Sequence, residues 1–191
     1  MATTWNLTHV NCSDSQEKGL RHIVEYRSEE IRDLLSIYEP SCIFVRGAIV
    51  QADSIRCWVD TTTCTLSSHE TGYVTATQTN LALSQGCLLL LAGTIQEQQE
   101  ANGPLQSLSL ADYYKLRDCY ALSFGRLSIR FSARASASPT SILLITIDRF
   151  RTIRDQLCWW LSYEFAEHYT GRLVAIVDLS PLKSRCGPSE G

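Results

Sequence analysis

The chain lacks several features that assign a sequence to a specialised class of protein. It holds 17 Lys and Arg against 20 Asp and Glu, for a net charge of −3 over 191 residues. A nucleic-acid-binding surface is therefore not expected, since that requires a basic excess. No two of the eight cysteines are spaced as C-x-x-C, and their spacing matches no zinc site. We expect neither a metal nor a cofactor.

The sequence also lacks a secretory signal and a run long enough to span a membrane. Its start, MATTWNLTHVNCSD, has no basic stretch followed by an apolar one. We therefore expect a cytoplasmic protein with reduced cysteines. With 45% hydrophobic and 19% charged residues, the composition is that of an ordinary folded domain. We expect a flexible segment over 1–20, a single domain over 21–181 and a tail over 182–191.

The most apolar stretch runs from Leu81 to Ile95 without a charge. At about 15 residues it is shorter than the roughly 20 residues of a membrane span. It is longer than a typical strand of about 5–6 residues. Rich in Leu and Ala and apolar on every side, it is typical of a buried helix. The sequence thus predicts one long enclosed helix over about 80–99.

Shorter elements surround this central helix. A helix is predicted over 28–40, capped by Ser28 and ended by Pro40, and another over 109–120, capped by Ser109. Strands are predicted at 42–50, 55–60, 122–134, 141–150, 157–166 and 171–179. Short connections favour antiparallel pairing. The expected fold class is α+β, with an antiparallel sheet of about six strands wrapped around the long apolar helix, which is the hot-dog architecture.

Two stretches carry a resemblance to a known family: LSLADYYKLRDCYALSFGRLSIRFSAR and LITIDRFRTIRDQLCWWLSYEF, the latter followed by GRLVAIVDLSP. Their order and spacing resemble the FcoT-type branch of hot-dog proteins. That branch includes long-chain fatty acyl-CoA thioesterases and enzymes that add glycine to an enoyl group on an acyl carrier protein. The similarity covers about 140 residues and extends weakly over YEPSC and GYVTATQTNLALSQGCLLLLA.

The resemblance implies a homodimer acting on an acyl thioester of CoA or of an acyl carrier protein, in lipid or secondary metabolism. Tyr73 and Asn80 match the polar pocket of the family. Ser41 replaces a family tyrosine, with Tyr38 close by. A glutamate of the family helix is replaced by Leu83. The alternative is therefore a non-catalytic or isomerase- or lyase-like binder of a lipid or polyketide intermediate.

Thioester chemistry requires an apolar slot, a hydrogen-bond donor for the carbonyl oxygen, and a base. The start of a buried helix supplies free N–H groups, here expected around Gln78 to Leu83. Asn80, Ser84 and Gln85 are the polar side chains of that region. Their alternative roles are ordinary: Asn80 as a helix cap and Ser84 as a partner of a backbone carbonyl.

Further candidates are a base, a nucleophile and a phosphate contact. Glu70 beside His69 is a candidate base, or else part of a solvated turn. Cys87 is a candidate nucleophile, or else an inert buried thiol. The members of an arginine stripe, spaced by four on one predicted strand, are candidates to bind substrate phosphates, or else they belong to a solvated face: Arg126, Arg130 and Arg134. Trp159 and Trp160 are expected on opposite faces of one strand.

Overall fold

The computed structural model describes residues 23–51, 53–62, 72–98 and 105–183. The expectations for 1–20 and for Glu70 and His69 fall outside these residues. The proposed tail begins inside the last helical turn, which covers Ser180–Lys183, and its remainder is also outside.

Helices and strands follow one another in an order close to the predicted one. The helices are α1 Ser28–Leu34, α2 Ala76–Gln98, α3 Leu110–Asp118 and α4 Ser180–Lys183, with a 3-10 turn at Pro40–Cys42. The strands are β1 Val24–Tyr26, β2 Val45–Gln51, β3 Ser54–Val59, β4 Leu122–Phe131, β5 Ser141–Ile153, β6 Gln156–Phe165 and β7 Tyr169–Asp178.

The described strands form one antiparallel sheet in the order β1-β2-β3-β5-β6-β7-β4. Helix α2 packs against β2, β3 and β5. The predicted hot-dog architecture is confirmed, with a seventh strand, β1, in addition to the six predicted ones. This strand has only three residues, too few for its alternation to be recognised in the sequence.

The central helix is enclosed as predicted, with Ala82 to Ile95 buried apart from the half-buried Ser84. Two glycines, Gly86 and Gly93, lie seven residues apart and therefore on one face. A Cβ at Gly86 would lie 2.8 Å from Cδ1 of Ile145, and one at Gly93 would lie 2.6 Å from a methyl of Val50. The absence of both side chains lets the helix approach the sheet closely. No helix in the described part of the chain meets the length and apolarity of a membrane span.

Two helix starts differ from the prediction. Helix α2 begins at Ala76, because the hydroxyl of Thr75 accepts from the backbone N–H of Gln78 (3.1 Å) and the Gln78 side chain accepts from the Thr75 N–H (2.9 Å). Asn80 is therefore not the cap. In α1 the cap is Arg27, whose N–H donates to the carboxylate of Glu30 (2.8 Å).

The remaining helix boundaries are partly confirmed. Ser28 is the first residue of α1 and its hydroxyl donates to the carbonyl of Arg46, so the expected Ser28 cap is wrong. Helix α1 ends at Leu34, six residues before Pro40. The cap at Ser109 is confirmed by its reciprocal hydrogen bonds with Asp112.

Candidate functional site

A polar strip interrupts the buried surface of α2 in its first half. Asn80 is exposed and Ser84 is half-buried, whereas Leu83 and the residues from Gln85 to Ile95 are buried. Residues four apart lie above one another on a helix, so Asn80 and Ser84 share one face. Between Gln78 and Ile95, Asn80 and Ser84 are the polar residues of α2 whose side chains reach solvent.

Tyr38 meets this strip from the segment that follows α1. Its hydroxyl and that of Ser84 are 2.8 Å apart and share a hydrogen bond. Burial raises the pKa of Tyr38 above its ordinary value, the bond to Ser84 opposes that rise, and the nearby Cys87 adds to it. The Tyr38 hydroxyl thus stays protonated near neutral pH and is suited to donate a hydrogen bond rather than to act as a base.

Gln85, predicted to bind substrate, hydrogen-bonds to the backbone of the fold, and its binding role stays a prediction. Its side-chain oxygen accepts from the N–H groups of Phe44 (2.9 Å) and Val45 (3.3 Å). Its amide nitrogen donates to the carbonyl of Cys42 (2.6 Å). With these three hydrogen bonds the buried amide fastens the start of β2 to α2. The same fastening holds Ser41, which is exposed in the 3-10 turn, next to this half of the helix.

The entry of α2 holds a second pair, Tyr73 and Arg134. The Arg134 guanidinium lies over the Tyr73 ring at 5.5 Å from its centroid, and 45% of Tyr73 is exposed. The chain is fixed here by a bridge between Tyr73 and Ser136 and by the Tyr169 hydroxyl, which donates to the carbonyl of Val74 (2.7 Å). Tyr73 and Arg134 thus lie together just before the start of α2, and Asn80 follows in the second turn of that helix.

The expected carbonyl-binding N–H groups are displaced. Because α2 begins at Ala76, the N–H groups of residues 80–83 lie inside the helix and bond within it. The N–H of Gln78 is taken by the Thr75 hydroxyl, and that of Thr79 by the Thr75 carbonyl (3.0 Å). The other first-turn donors, the N–H groups of Ala76 and Thr77, have no acceptor within the helix itself.

The arginine stripe is divided between two places. In β4, Arg126 pairs with Val174 and Arg130 with Thr170, and both side chains are exposed on the sheet face opposite α2. Arg134 lies beyond the end of β4, over Tyr73. The predicted strand over 122–134 is thus shorter in the structure, and Arg134 is not part of one stripe with the other two; the role of the three in binding substrate phosphates stays a prediction.

The remaining candidates are placed as follows. Burial raises the pKa of the fully buried Cys87 thiol to about 12, which fits the inert alternative. Leu83 is fully buried. Trp159 is buried in the core, while the half-buried Trp160 lies under the Arg149 guanidinium on the outer face, so their predicted opposition is confirmed.

One group of charged residues on the outer face was missed by the sequence interpretation. Arg149 and Arg172 belong to β5 and β7 and stand on the same face as Arg126 and Arg130. The alternation in DRFRTIR and in TGRLV carries this information in principle. It identifies a face only once the neighbouring strands are known.

No family model matches the chain, and the comparison with curated proteins also finds no match. Several solved structures are similar. An HP0420 homologue from Helicobacter felis is 13% identical, with a TM-score of 0.46, 78% of this chain covered and 88% of the other. The dehydratase heterocomplex ApeI:P from Xenorhabdus doucetiae is 13% identical, with a TM-score of 0.45 and coverages of 77% and 91%.

A third similar structure is a hot-dog-like protein from Thermanaerovibrio acidaminovorans. It is 10% identical, with a TM-score of 0.36, and the match covers 87% of each chain. These identities and TM-scores are too low to transfer an activity, a substrate or a site. The assignment of this chain to the hot-dog architecture follows from its own strand order and enclosed helix.

Proposed function

We propose that the protein processes an acyl thioester, carried by CoA or by an acyl carrier protein, as a cytoplasmic hot-dog homodimer. The observation that carries the proposal is the Tyr38–Ser84 hydroxyl pair, set on a helix that is otherwise apolar and enclosed. Such a combination offers hydrogen bonding beside an apolar surface, as an acyl thioester requires. The resemblance in sequence to acyl-thioester enzymes supports the same class.

In this proposal the hydroxyl pair donates a hydrogen bond to the thioester carbonyl oxygen. Because its pKa is raised by burial, Tyr38 keeps its proton and can stabilise the negative charge that develops there. Asn80 orients the substrate or the attacking water from the next turn. Tyr73 and Arg134 contact the polar end of the substrate at the entry of α2.

The proposed chemistry also requires a group that accepts a proton. Among the described residues, no carboxylate hydrogen-bonds to the hydroxyl of Tyr38 or Ser84. Glu70, with His69, keeps its proposed role as the base and lies outside the described residues. Hydrolysis, addition and dehydration all remain within the proposed class, because each needs the same polarised carbonyl.

Tyr38→Phe is expected to reduce turnover of the best thioester substrate by about 100-fold, because a donor to the developing oxyanion is lost. The measurement is a steady-state assay over a panel of acyl-CoA, enoyl-CoA and acyl-carrier-protein thioesters. Tyr114→Phe is the matched control, since the Tyr114 hydroxyl donates to the carboxylate of Asp33 and not to Tyr38 or Ser84. Wild-type turnover by Tyr38→Phe contradicts the role of the pair.

A second candidate function is favoured by Leu83, which is fully buried where the resembled family carries a glutamate. In this alternative the protein binds a lipid or polyketide intermediate and does not convert it. Calorimetry with non-hydrolysable thioester analogues separates the two. Binding without turnover across the whole panel supports the binder, and turnover that depends on Tyr38 supports the enzyme.

The proposed homodimer forms through β4. Among the described strands, β4 has a neighbour on one side only, and its ten residues leave a row of unpaired backbone groups. The inward side chains Leu127 and Ile129 are only half-buried, and 54% of Phe131 is exposed. Antiparallel pairing of two β4 strands would cover both the backbone groups and these side chains.

Phe131→Asp is expected to convert the dimer to a monomer, because it places a charge at the proposed seam. The measurement is light scattering coupled to size-exclusion chromatography at tens of micromolar protein. Phe150→Asp is the control, because Phe150 is similarly exposed (49%) but lies on β5 and away from the proposed seam. A monomeric wild type, or equal effects of the two substitutions, would exclude a dimer through β4.

A further inference from the structure

The outer face of the sheet, opposite α2, contains two adjoining cavities. One has a volume of about 390 Å³ and the other about 560 Å³. They share Ser128, Arg130 and Arg172, so they form one groove across β4, β7, β6 and β5. The cross-strand register explains this, since Arg172 stands directly opposite both Ser128 and Ser162. Cavities of this size are typical of small-molecule sites.

Positive charge is concentrated in the groove. Four arginines line it, against the two carboxylates Asp148 and Glu164: Arg126, Arg130, Arg149 and Arg172. The local excess is +2, since 4 − 2 = 2, in a chain whose net charge is −3. The groove is therefore basic although the chain as a whole is slightly acidic.

Carboxylates in the described part of the chain do not neutralise the guanidinium groups. None of the four forms an ion pair with a carboxylate of residues 23–51, 53–62, 72–98 or 105–183. The carboxylate of Asp148 accepts instead from the hydroxyl of Ser162 (2.9 Å). Arg149 is held in place by stacking on the Trp160 ring, 4.0 Å from its centroid.

The lining matches phosphate chemistry. Guanidinium groups bind phosphate oxygens through paired N–H donors. The hydroxyls of Thr146 and Thr170, on the same face as Arg130 and Arg172, are further donors within the groove. A polynucleotide would require a basic surface much larger than this groove, and the flanking Asp148 and Glu164 limit the basic area to it.

We propose that this groove is a binding site for a small molecule that carries a phosphate or pyrophosphate group. The site lies on the sheet face opposite the Tyr38–Ser84 pair, and its occupation does not depend on the function proposed for that pair. The phosphate oxygens bind between Arg130 and Arg172, which are common to both cavities. The remainder of the ligand lies along β6 and β5 towards the Arg149–Trp160 stack.

The test is isothermal titration of the full chain with pyrophosphate, with ATP and with an acidic Glu/Asp peptide as separate probes. The wild type is expected to bind pyrophosphate and ATP, with an affinity that falls as NaCl is added. The double variant Arg130→Gln/Arg172→Gln is expected to weaken both by about tenfold or more, because it removes the two guanidinium groups that line both cavities.

Two controls make the result decisive. Arg151→Gln removes an exposed arginine of β5 that lines neither cavity, and it is expected to leave both affinities within about twofold of the wild type. Arg130→Lys/Arg172→Lys is expected to restore part of the affinity, since the charge returns without the paired donors. Far-UV circular dichroism verifies that each variant is folded.

The outcomes separate as follows. Tighter binding of ATP than of pyrophosphate supports the site and adds contacts beyond the phosphates; equal binding supports recognition of the phosphates alone. Absence of binding by either phosphate probe overturns the proposal. So does an equal loss in Arg151→Gln, which would indicate diffuse charge. Preference for the acidic peptide over both phosphate probes would replace the proposed ligand with a polypeptide.

Discussion

Gly171→Ala is expected to lower the free energy of unfolding by about 3 kcal/mol or more. A Cβ at this position of β7 would overlap the backbone carbonyl oxygen of Ser128 and lie 2.7 Å from the Tyr163 hydroxyl. That hydroxyl crosses over the glycine to donate to the same Ser128 carbonyl (3.0 Å). Ordinary overpacking costs about 1–3 kcal/mol, and here a backbone atom must move as well.

Urea unfolding, followed by tryptophan fluorescence, measures this loss, and Gly125→Ala is the matched control on the neighbouring strand. A Cβ at Gly125 would lie 3.0 Å from the flexible tip of Ile176, which can rotate away, so a change below about 1 kcal/mol is expected. Equal losses in the two variants would contradict the close crossing of Tyr163 over Gly171.

Gln85→Leu is expected to cost about 3–5 kcal/mol, the second large effect. The substitution preserves the apolar packing of the helix but removes the acceptor of two buried backbone N–H groups, those of Phe44 and Val45, and the side-chain donor to the Cys42 carbonyl. Each unsatisfied buried group costs about 1–3 kcal/mol. Thermal and urea unfolding provide the measurement.

Gln96→Leu, further along the same helix, is the control for this substitution. Gln96 is half-buried and accepts one hydrogen bond, from the Tyr26 hydroxyl (2.7 Å), so a loss of about 1 kcal/mol is expected. If Gln85→Leu were no more destabilising than Gln96→Leu, the fastening of β2 to α2 by Gln85 would be refuted. A selective loss of activity without loss of stability would instead return Gln85 to the candidate site.

The sequence predicts the main elements of the fold because burial leaves a local pattern. The uncharged Leu-rich run predicts α2, and alternation predicts β4, where Leu127 and Ile129 face inward. The exact ends of helices and strands are harder to predict from the sequence. The start of α2 depends on a reciprocal bond between Thr75 and Gln78, two common polar residues that carry no distinctive pattern. β1 is recognisable only through its partner β2.

The candidate site is harder to predict, because its members are distant in the chain. The bond between Tyr38 and Ser84 joins residues 46 positions apart. A polar side chain in a buried helix can serve a ligand or a backbone, and only the fold shows that Gln85 serves the backbone. The spacing of the arginines suggests one stripe, yet β4 ends at Phe131, before Arg134.

Within the described part of the chain, the two edge strands of the sheet differ in length. One is β4, with ten residues; the other is β1, with three, flanked by the exposed Glu25 and Arg27. When two identical edge strands pair about a two-fold axis, the assembly is a closed dimer. When a long edge strand pairs with the short edge of the next copy, further copies can add without limit. In the proposed dimer two β4 edges pair with each other, and the three-residue β1 edge offers too few backbone groups to continue the sheet into a filament.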